Sequence, residues 1–296
     1  MIGPERHLER DPMESTKWNR RNFLGGATAA AALLAAPSAA SGAQASRGAK
    51  PQFELSVASY SLRKFDRATS IKMIQQLGVK KVCVKSFHMP YEASPTELAA
   101  MRKEYEAAGL SIIGGGTVTM QKEDPAEMKA YFEYAKHAGM GFMVIAPTVK
   151  TLPMIEKFVK EYNIAVAIHN HGTEDKHFPG PQDVLPHIKN MDPRMGLCVD
   201  LGHTTRTGID IIEALEMSGS RILDVHMKDL KDLMVKGSDI EVGRGAMPVA
   251  KIFQTLAKMG YKRYVGLEYE IKADEPYPGM NESYAYQRGV LAAMNL

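Results

Sequence analysis

Four apolar runs in the second half of the chain each end in side chains that can hold a metal or move a proton. They read Ala165-Val166-Ala167-Ile168-His169-Asn170-His171, Cys198-Val199-Asp200-Leu201-Gly202-His203, Asp224-Val225-His226-Met227-Lys228-Asp229 and Gly266-Leu267-Glu268-Tyr269-Glu270. Side chains alternate across a strand with a period of two. His169 and His171 therefore share a face, as do His226 and Lys228, and Glu268 and Glu270. If the four runs are neighbouring strands, His169, Asp200, His226 and Glu268 converge on one point. Two imidazoles and two carboxylates suit Mn²⁺ or Zn²⁺, with Co²⁺, Fe²⁺ or Mg²⁺ as further options, better than Ca²⁺. Taken singly, any of the four could be a strand-end polar group tied to loop backbone. Four in succession point to a site.

Such a site needs parallel strands delivered side by side. The chain alternates short β-rich runs with amphipathic stretches, the pattern of parallel strands with crossover helices. Strands are expected at 53–59, 81–85, 111–114, 142–146, 164–169, 196–200, 222–226 and 264–268. Helices are expected at 68–77, 94–109, 125–139, 153–162, 183–191, 209–216, 248–259 and 282–294. Ser94-Pro95-Thr96-Glu97 has the spacing of a capping box with proline in the first turn. Eight even βα units in one domain favour closure into a (β/α)8 TIM barrel over an open doubly wound sheet, and a barrel carries its active site at the C-terminal strand ends.

The first 45 residues read differently. Arg20-Arg21-Asn22-Phe23-Leu24 precedes a small-residue apolar run over 25–36, too short for a stable membrane anchor. Paired arginines in that place form the twin-arginine export pattern. Cleavage is expected at Ala43-Gln44-Ala45, or at Ser38-Ala39-Ala40. Residues 1–45 are thus read as a removed signal peptide and 46–296 as the catalytic barrel, exported to the periplasm with no stable membrane anchor after processing. What remains is roughly 250 residues, the usual size of such a barrel. A net charge of +3 gives no basic field for nucleic acid. Cys83 and Cys198 are too few for a disulfide framework and read as two buried thiols.

Asp200-x-x-His203, His226-x-Lys228-Asp229 and Leu267-Glu268-Tyr269-Glu270 resemble the xylose isomerase-like TIM barrel superfamily, over the whole mature chain and in strand order. That group includes sugar phosphate isomerases and epimerases, ketose 3-epimerases, inosose dehydratases and apurinic-site endonucleases. The resemblance implies a metal held by Glu, Asp, His and Glu from strands five to eight. Asp200, His226 and Glu268 match, whereas His169 stands where the family has its first glutamate. In the epimerases the two glutamates also act as acid and base on opposite faces of the substrate. The resemblance makes His203 a substrate-contacting or supporting histidine.

The leading expectation is a metal-dependent sugar isomerase or epimerase acting on a small-molecule carbohydrate through an enediolate. Glu268 or His169 would move the proton, with His203 and Lys228 assisting. Lys228 would polarise a carbonyl, or else pair with Asp200 or Glu270. Substrate contacts are expected from His171, Glu270, Lys85, His88 and Arg244. Lys85 and His88 close the second strand, and Arg244 lies in the loop Glu241-Val242-Gly243-Arg244-Gly245. His177, in the long loop after the fifth strand, is a candidate lid residue. An alternative is a lyase that eliminates a β-leaving group from a keto-glycoside or keto-cyclitol, which needs one base only. A third reading is an exported, non-catalytic sugar-binding barrel. Assembly into a homo-oligomer is compatible with all three.

Overall fold

The computed structural model describes residues 50–294. The segment read as an export signal lies outside the described residues. Eight parallel strands close into a barrel: β1 (Glu54–Ala58), β2 (Lys81–Val84), β3 (Ser111–Met120), β4 (Phe142–Pro147), β5 (Ala165–His169), β6 (Met195–Asp200), β7 (Ile222–Met227) and β10 (Tyr264–Leu267). Each pairs with its neighbours in chain order, and β1 pairs with β10 to complete the ring. Helices α1 (Arg67–Gln76), α2 (Pro95–Ala107), α3 (Pro125–Ala138), α4 (Leu152–Tyr162), α5 (Pro181–Ile188), α7 (Ile211–Ser218), α8 (Val249–Lys258) and α9 (Tyr277–Met294) follow the strands. Among the described residues, no helix is long and apolar enough to cross a membrane.

Local chemistry sets the helix starts. Ser94 accepts from the Glu97 amide, and the Glu97 carboxylate accepts from the Ser94 amide at 2.8 Å, the reciprocal cap read from the sequence. Asp124 caps α3, and Gly139 closes it in the left-handed region at φ 72°. The core has two parts. A large outer cluster, including Leu98, Phe132, Val166, Val199, Val225 and Phe253, fills the space between strands and helices. A smaller one, Cys83, Ile113, Phe142, Val144, Ala167, Cys198 and Leu223, plugs the barrel interior. Ala167 and Cys198 lie two residues before His169 and Asp200. The pleat that buries the plug therefore aims those two polar side chains into the barrel mouth. Both cysteines are free and buried.

Several elements depart from the expected pattern. The third strand runs on to Met120 through Gly114-Gly115-Gly116, a triplet that reads as a loop. At Gly114 a Cβ would stand 2.8 Å from the Phe142 ring, so close packing against β4 excludes a side chain there. The last helix begins at Tyr277, because Pro278 is tolerated in a first turn and Gly279 packs against the Tyr269 hydroxyl. The short helix α6 (Leu201–Thr205) follows β6 without a break, and β8 (Asp229–Leu230) pairs with β9 (Asp239–Ile240) as a small antiparallel ribbon.

Candidate metal centre and cavity

The pairing registers Asp200↔His226 and His226↔Gly266 set three of the four strand ends side by side, and β5 adds His169 next to Cys198. The ligand atoms of His169, Asp200, His226 and Glu268 all lie within 4.8 Å of one another. His169 Nε2 is 2.9 Å from His226 Nδ1, 3.6 Å from Asp200 Oδ2 and 3.8 Å from Glu268 Oε2. Glu268 Oε2 is 3.2 Å from His226 Nδ1. Bonds of about 2.0–2.2 Å to a common divalent ion would separate its ligands by roughly 3–4.3 Å, which these spacings match. Asp200 Oδ2 is buried and has no hydrogen-bond partner; its 3.1 Å contact with Lys228 Nζ is an ion pair without hydrogen-bonding geometry. The donor set and this orphaned oxygen fit a divalent cation.

The charges agree. Lys228 is buried, with its ammonium 3.0 Å from Glu268, 3.1 Å from Asp200 and 2.5 Å from Glu270. Burial disfavours that ammonium, but the three carboxylates outweigh it and hold its pKa well above the ordinary value. Burial also opposes the Asp200 and Glu268 carboxylates. His203 and Lys228 beside Asp200, and His226 and Lys228 beside Glu268, reverse this and hold both groups ionised. Three carboxylates against one ammonium leave an excess of two negative charges once His226 is neutral, which one divalent ion would neutralise. Burial pushes the His169 pKa down to about 3, whereas at His226 the Glu268 carboxylate overcomes burial and lifts the pKa to about 9. Without metal, His226 is therefore the protonated member of the histidine pair. Below it, burial lifts Asp224 to about 7. Cys198 with the same two histidines makes an overlapping second set. Burial keeps that thiol protonated, so the carboxylate set is the better ligand set.

Two adjoining cavities open above the cluster, of about 400 and 510 Å³, a size suited to small ligands. Lys228, Glu270 and Asp239 face the first, His169, His171, Glu174 and His177 face the second, and His203, Arg206 and Lys236 face both. Asp200 caps α6 by accepting from the His203 amide at 2.8 Å. The helix then brings Arg206, three residues on, beside His203. Arg206 donates to His203 Nδ1 at 2.8 Å, which leaves the proton of neutral His203 on Nε2. That Nε2 stands 3.3 Å from Lys228 Nζ. Both groups can only donate, so a substrate oxygen is the acceptor the two could share.

The structure brings together His169, Asp200, His203, His226, Lys228, Glu268 and Glu270 at one mouth. His171 faces the cavity, but both its ring nitrogens are taken, by His169 and Asp175. Lys85 lies to the side and donates to the Thr117 carbonyl at 2.7 Å. Two expectations are corrected. His88 is fully buried, with its nitrogens at 3.0 Å from Ser59 Oγ and Ser70 Oγ, so it braces α1 against the turn that follows β1 and cannot reach a substrate. Arg244 is exposed and forked onto Glu282, facing neither cavity. Asp229, two residues beyond Met227, shapes that glycine loop by accepting from the amides of Gly243, Gly245 and Met247 at 2.8–3.0 Å. Sequence reasoning missed Arg206, Glu174, Asp175, Lys236 and Asp239. The usable signals were the three-residue spacing of His203 and Arg206 and the four-residue spacing of His171 and Asp175.

The profile of the xylose isomerase-like TIM barrel family matches residues 71–290. The rhizopine catabolism protein MocC of Rhizobium meliloti is 25% identical over 133 residues, a match spanning 40% of this chain and 40% of that one. Among solved structures, a xylose isomerase domain protein of Alicyclobacillus acidocaldarius superposes with a TM-score of 0.67 at 16% identity, covering 82% of this chain and all of the other. D-psicose 3-epimerase of Clostridium cellulolyticum H10, solved with D-tagatose, gives 0.67 at 14% identity, covering 81% and 99%. A xylose isomerase domain protein of Planctomyces limnophilus gives 0.64 at 20% identity, covering 83% and 98%. At these identities the likeness to solved structures is one of fold.

Proposed function

The chain belongs to the xylose isomerase-like TIM barrel family, and from that premise we propose that it is a divalent-metal-dependent isomerase or epimerase of a keto-sugar. The observation that carries this reading is the convergence of His169, Asp200, His226 and Glu268 beneath a cavity of about 510 Å³ edged by His171, Glu174, His203 and Arg206, with a buried Asp200 oxygen left without a hydrogen-bond partner. These four residues would hold the ion, with Mn²⁺ or Zn²⁺ the best matches to two nitrogens and two oxygens. Bound there, the ion would supply Lewis-acid polarisation of adjacent substrate oxygens.

The remaining work falls to the side chains. Glu268, held ionised, is the base for the proton on the carbon beside the carbonyl. His203 Nε2 and the Lys228 ammonium donate to the oxygen that gains charge as that proton leaves. Lys228 also holds Glu268 and Glu270 in place through its ion pairs. Arg206 fixes the His203 tautomer, and its bridge to Glu174 ties the two cavities together.

A second reading, β-elimination from a keto-glycoside or keto-cyclitol, is favoured by one specific observation. His169, which takes the place of the family's other carboxylate, has Nδ1 against His171 and Nε2 against His226. It has no nitrogen free for a proton on the opposite substrate face. One base suffices for transfer along a single face or for elimination, whereas inversion at carbon needs two.

The test is proton NMR in deuterium oxide, with metal-loaded protein given a ketohexose and, separately, a 3-keto-glucoside. Deuterium entering beside the carbonyl with a new isomer or epimer supports the leading reading. Loss of the glycosidic substituent supports elimination. Absence of exchange with both would count against enolate chemistry on these substrates and favour a sugar-binding role. The proposed setting is the periplasm, with residues 1–45 removed on export; fractionation of the native host followed by N-terminal sequencing tests it.

A further inference from the structure

The loop after β5 is joined to the candidate metal centre by a chain of three side chains. His169 Nδ1 lies 3.2 Å from His171 Nε2, and His171 Nδ1 lies 3.1 Å from Asp175 Oδ2. The other Asp175 oxygen accepts from the backbone amides of His177 and Phe178 at 2.8 and 3.2 Å. Asp175 thus grips the turn of its own loop with one oxygen and His171 with the other. Burial opposes its ionisation, but the two amides and His171 outweigh that and hold it ionised. An ionised carboxylate can only accept. The proton of neutral His171 must then sit on Nδ1, leaving Nε2 as an acceptor. His169 must in turn carry its proton on Nδ1. The consequence falls on His169 Nε2, which is left an acceptor whose lone pair points into the cluster with Asp200, His226 and Glu268, facing His226 Nδ1 at 2.9 Å.

We propose that His171 and Asp175 are positioning residues that hold His169 in its metal-binding tautomer, and that metal binding is thereby coupled to the order of the 170–180 loop. The inference rests on the metal-centred reading above. The loop is built to transmit the coupling. Gly172 sits at φ 81°, where a Cβ would press on Arg206 Nη2 at 2.6 Å. Arg206 grips Glu174 and donates to the His171 carbonyl. Asn170 reaches the Pro179 carbonyl and Thr204, and Phe178 is buried at the far end. The same loop supplies Glu174, Lys176 and His177 to the second cavity. An ion that fixes His169 would therefore also firm up one wall of the substrate space.

Asp175→Asn is the discriminating variant. Two backbone amides hold one oxygen, so the new amide nitrogen must face the His171 Nδ1 proton and reverse the tautomers along the chain. Mn²⁺ titration of the full-length protein should show a 10- to 100-fold loss of affinity in Asp175→Asn and His171→Ala. His171→Gln, whose carbonyl can accept the His169 proton, should retain more. Mn²⁺ should slow the tryptic cut after exposed Lys176 in the native protein and not in Asp175→Asn. Thermal melts of the metal-free variants check that each folds. Affinities within twofold of native in folded variants would overturn the proposal while leaving the metal-centred reading intact. No Mn²⁺ or Zn²⁺ binding by the native protein would refute that reading and the coupling with it. A third readout needs no metal: long-range ¹H–¹⁵N spectra of the metal-free native protein should show the His169 proton on Nδ1, and a proton on Nε2 would overturn the clamp.

Discussion

Metal uptake by this site should expel one proton, and it should come from His226. Without metal, Glu268 lifts the His226 pKa to about 9, so the ring is charged at neutral pH and its Nδ1 proton lies between His169 Nε2 and Glu268 Oε2. That nitrogen cannot ligate until the proton leaves. His169, lowered to about 3, is already neutral above pH 4 and its Nε2 carries no proton to release. Asp200 and Glu268 are ionised throughout, and Lys228 stays charged. The logarithm of the association constant should therefore rise by about one per pH unit below pH 9, so that binding at pH 6 is about 500-fold weaker than at pH 9. Calorimetric titration with Mn²⁺ at pH 7, in buffers of different ionisation enthalpy, should report about one proton released per ion. The slope measured between pH 6 and 8.5 should agree. No proton released, or two, would refute the assignment of a single charged histidine. Linkage adds a check on the metal-free protein. Because the folded pKa of His226 lies above the unfolded value of 6.5, its stabilising contribution is complete below pH 6.5 and is lost as pH rises through 9. That contribution is about 3 kcal/mol, and denaturant melts across the window should show it.

Lys228→Met removes the one ammonium among three carboxylates, and the metal-free variant should lose about 3–5 kcal/mol of stability. Urea melts with and without Mn²⁺ measure this, and added metal should restore part of the loss. Asp229→Ala strips the acceptor from the buried turn that holds Gly243, Gly245 and Met247. It should cost about 3–5 kcal/mol while leaving Mn²⁺ affinity in the surviving folded protein within a few fold, as paired melts and titrations would show.

The strand ends were legible because each combines an apolar run with a terminal polar residue. The pleat then fixes which side chains face inward: His169 two residues after Ala167, Asp200 two after Cys198, Glu268 two after Gly266. The caps of α2 and α3 were legible for a similar reason, since Ser94 and Asp124 act within three residues of themselves. What sequence could not supply were partners set by the fold. His88 has the residue type of a ligand and sits at a strand end, yet its serines are Ser59 and Ser70, brought together only when α1 folds against the turn that follows β1. Arg244 lies in a glycine loop of the right kind, but Glu282 on α9 captures it. The long third strand was hidden because glycine signals a turn in isolation and close approach in a packed barrel.

If, as the resemblance implies, His169 stands where the family has a carboxylate, the change would do more than remove one base. A glutamate there would add a negative charge and could turn between metal and substrate. The imidazole adds no charge, and its two nitrogens are committed in opposite directions, one to the ion site and one to the clamp through His171. On the proposed reading the position would change from a group that can move protons into a fixed ligand. Under the proposed reading, proton transfer would concentrate on Glu268, while His203 and Lys228 would meet the charge developing on the substrate. A site so divided would serve one face of a planar enolate-like species, which within the proposed reading favours isomerisation or elimination over epimerisation. The stereochemistry of deuterium incorporation, retained on a single face, is the signature this arrangement should leave on any substrate it accepts.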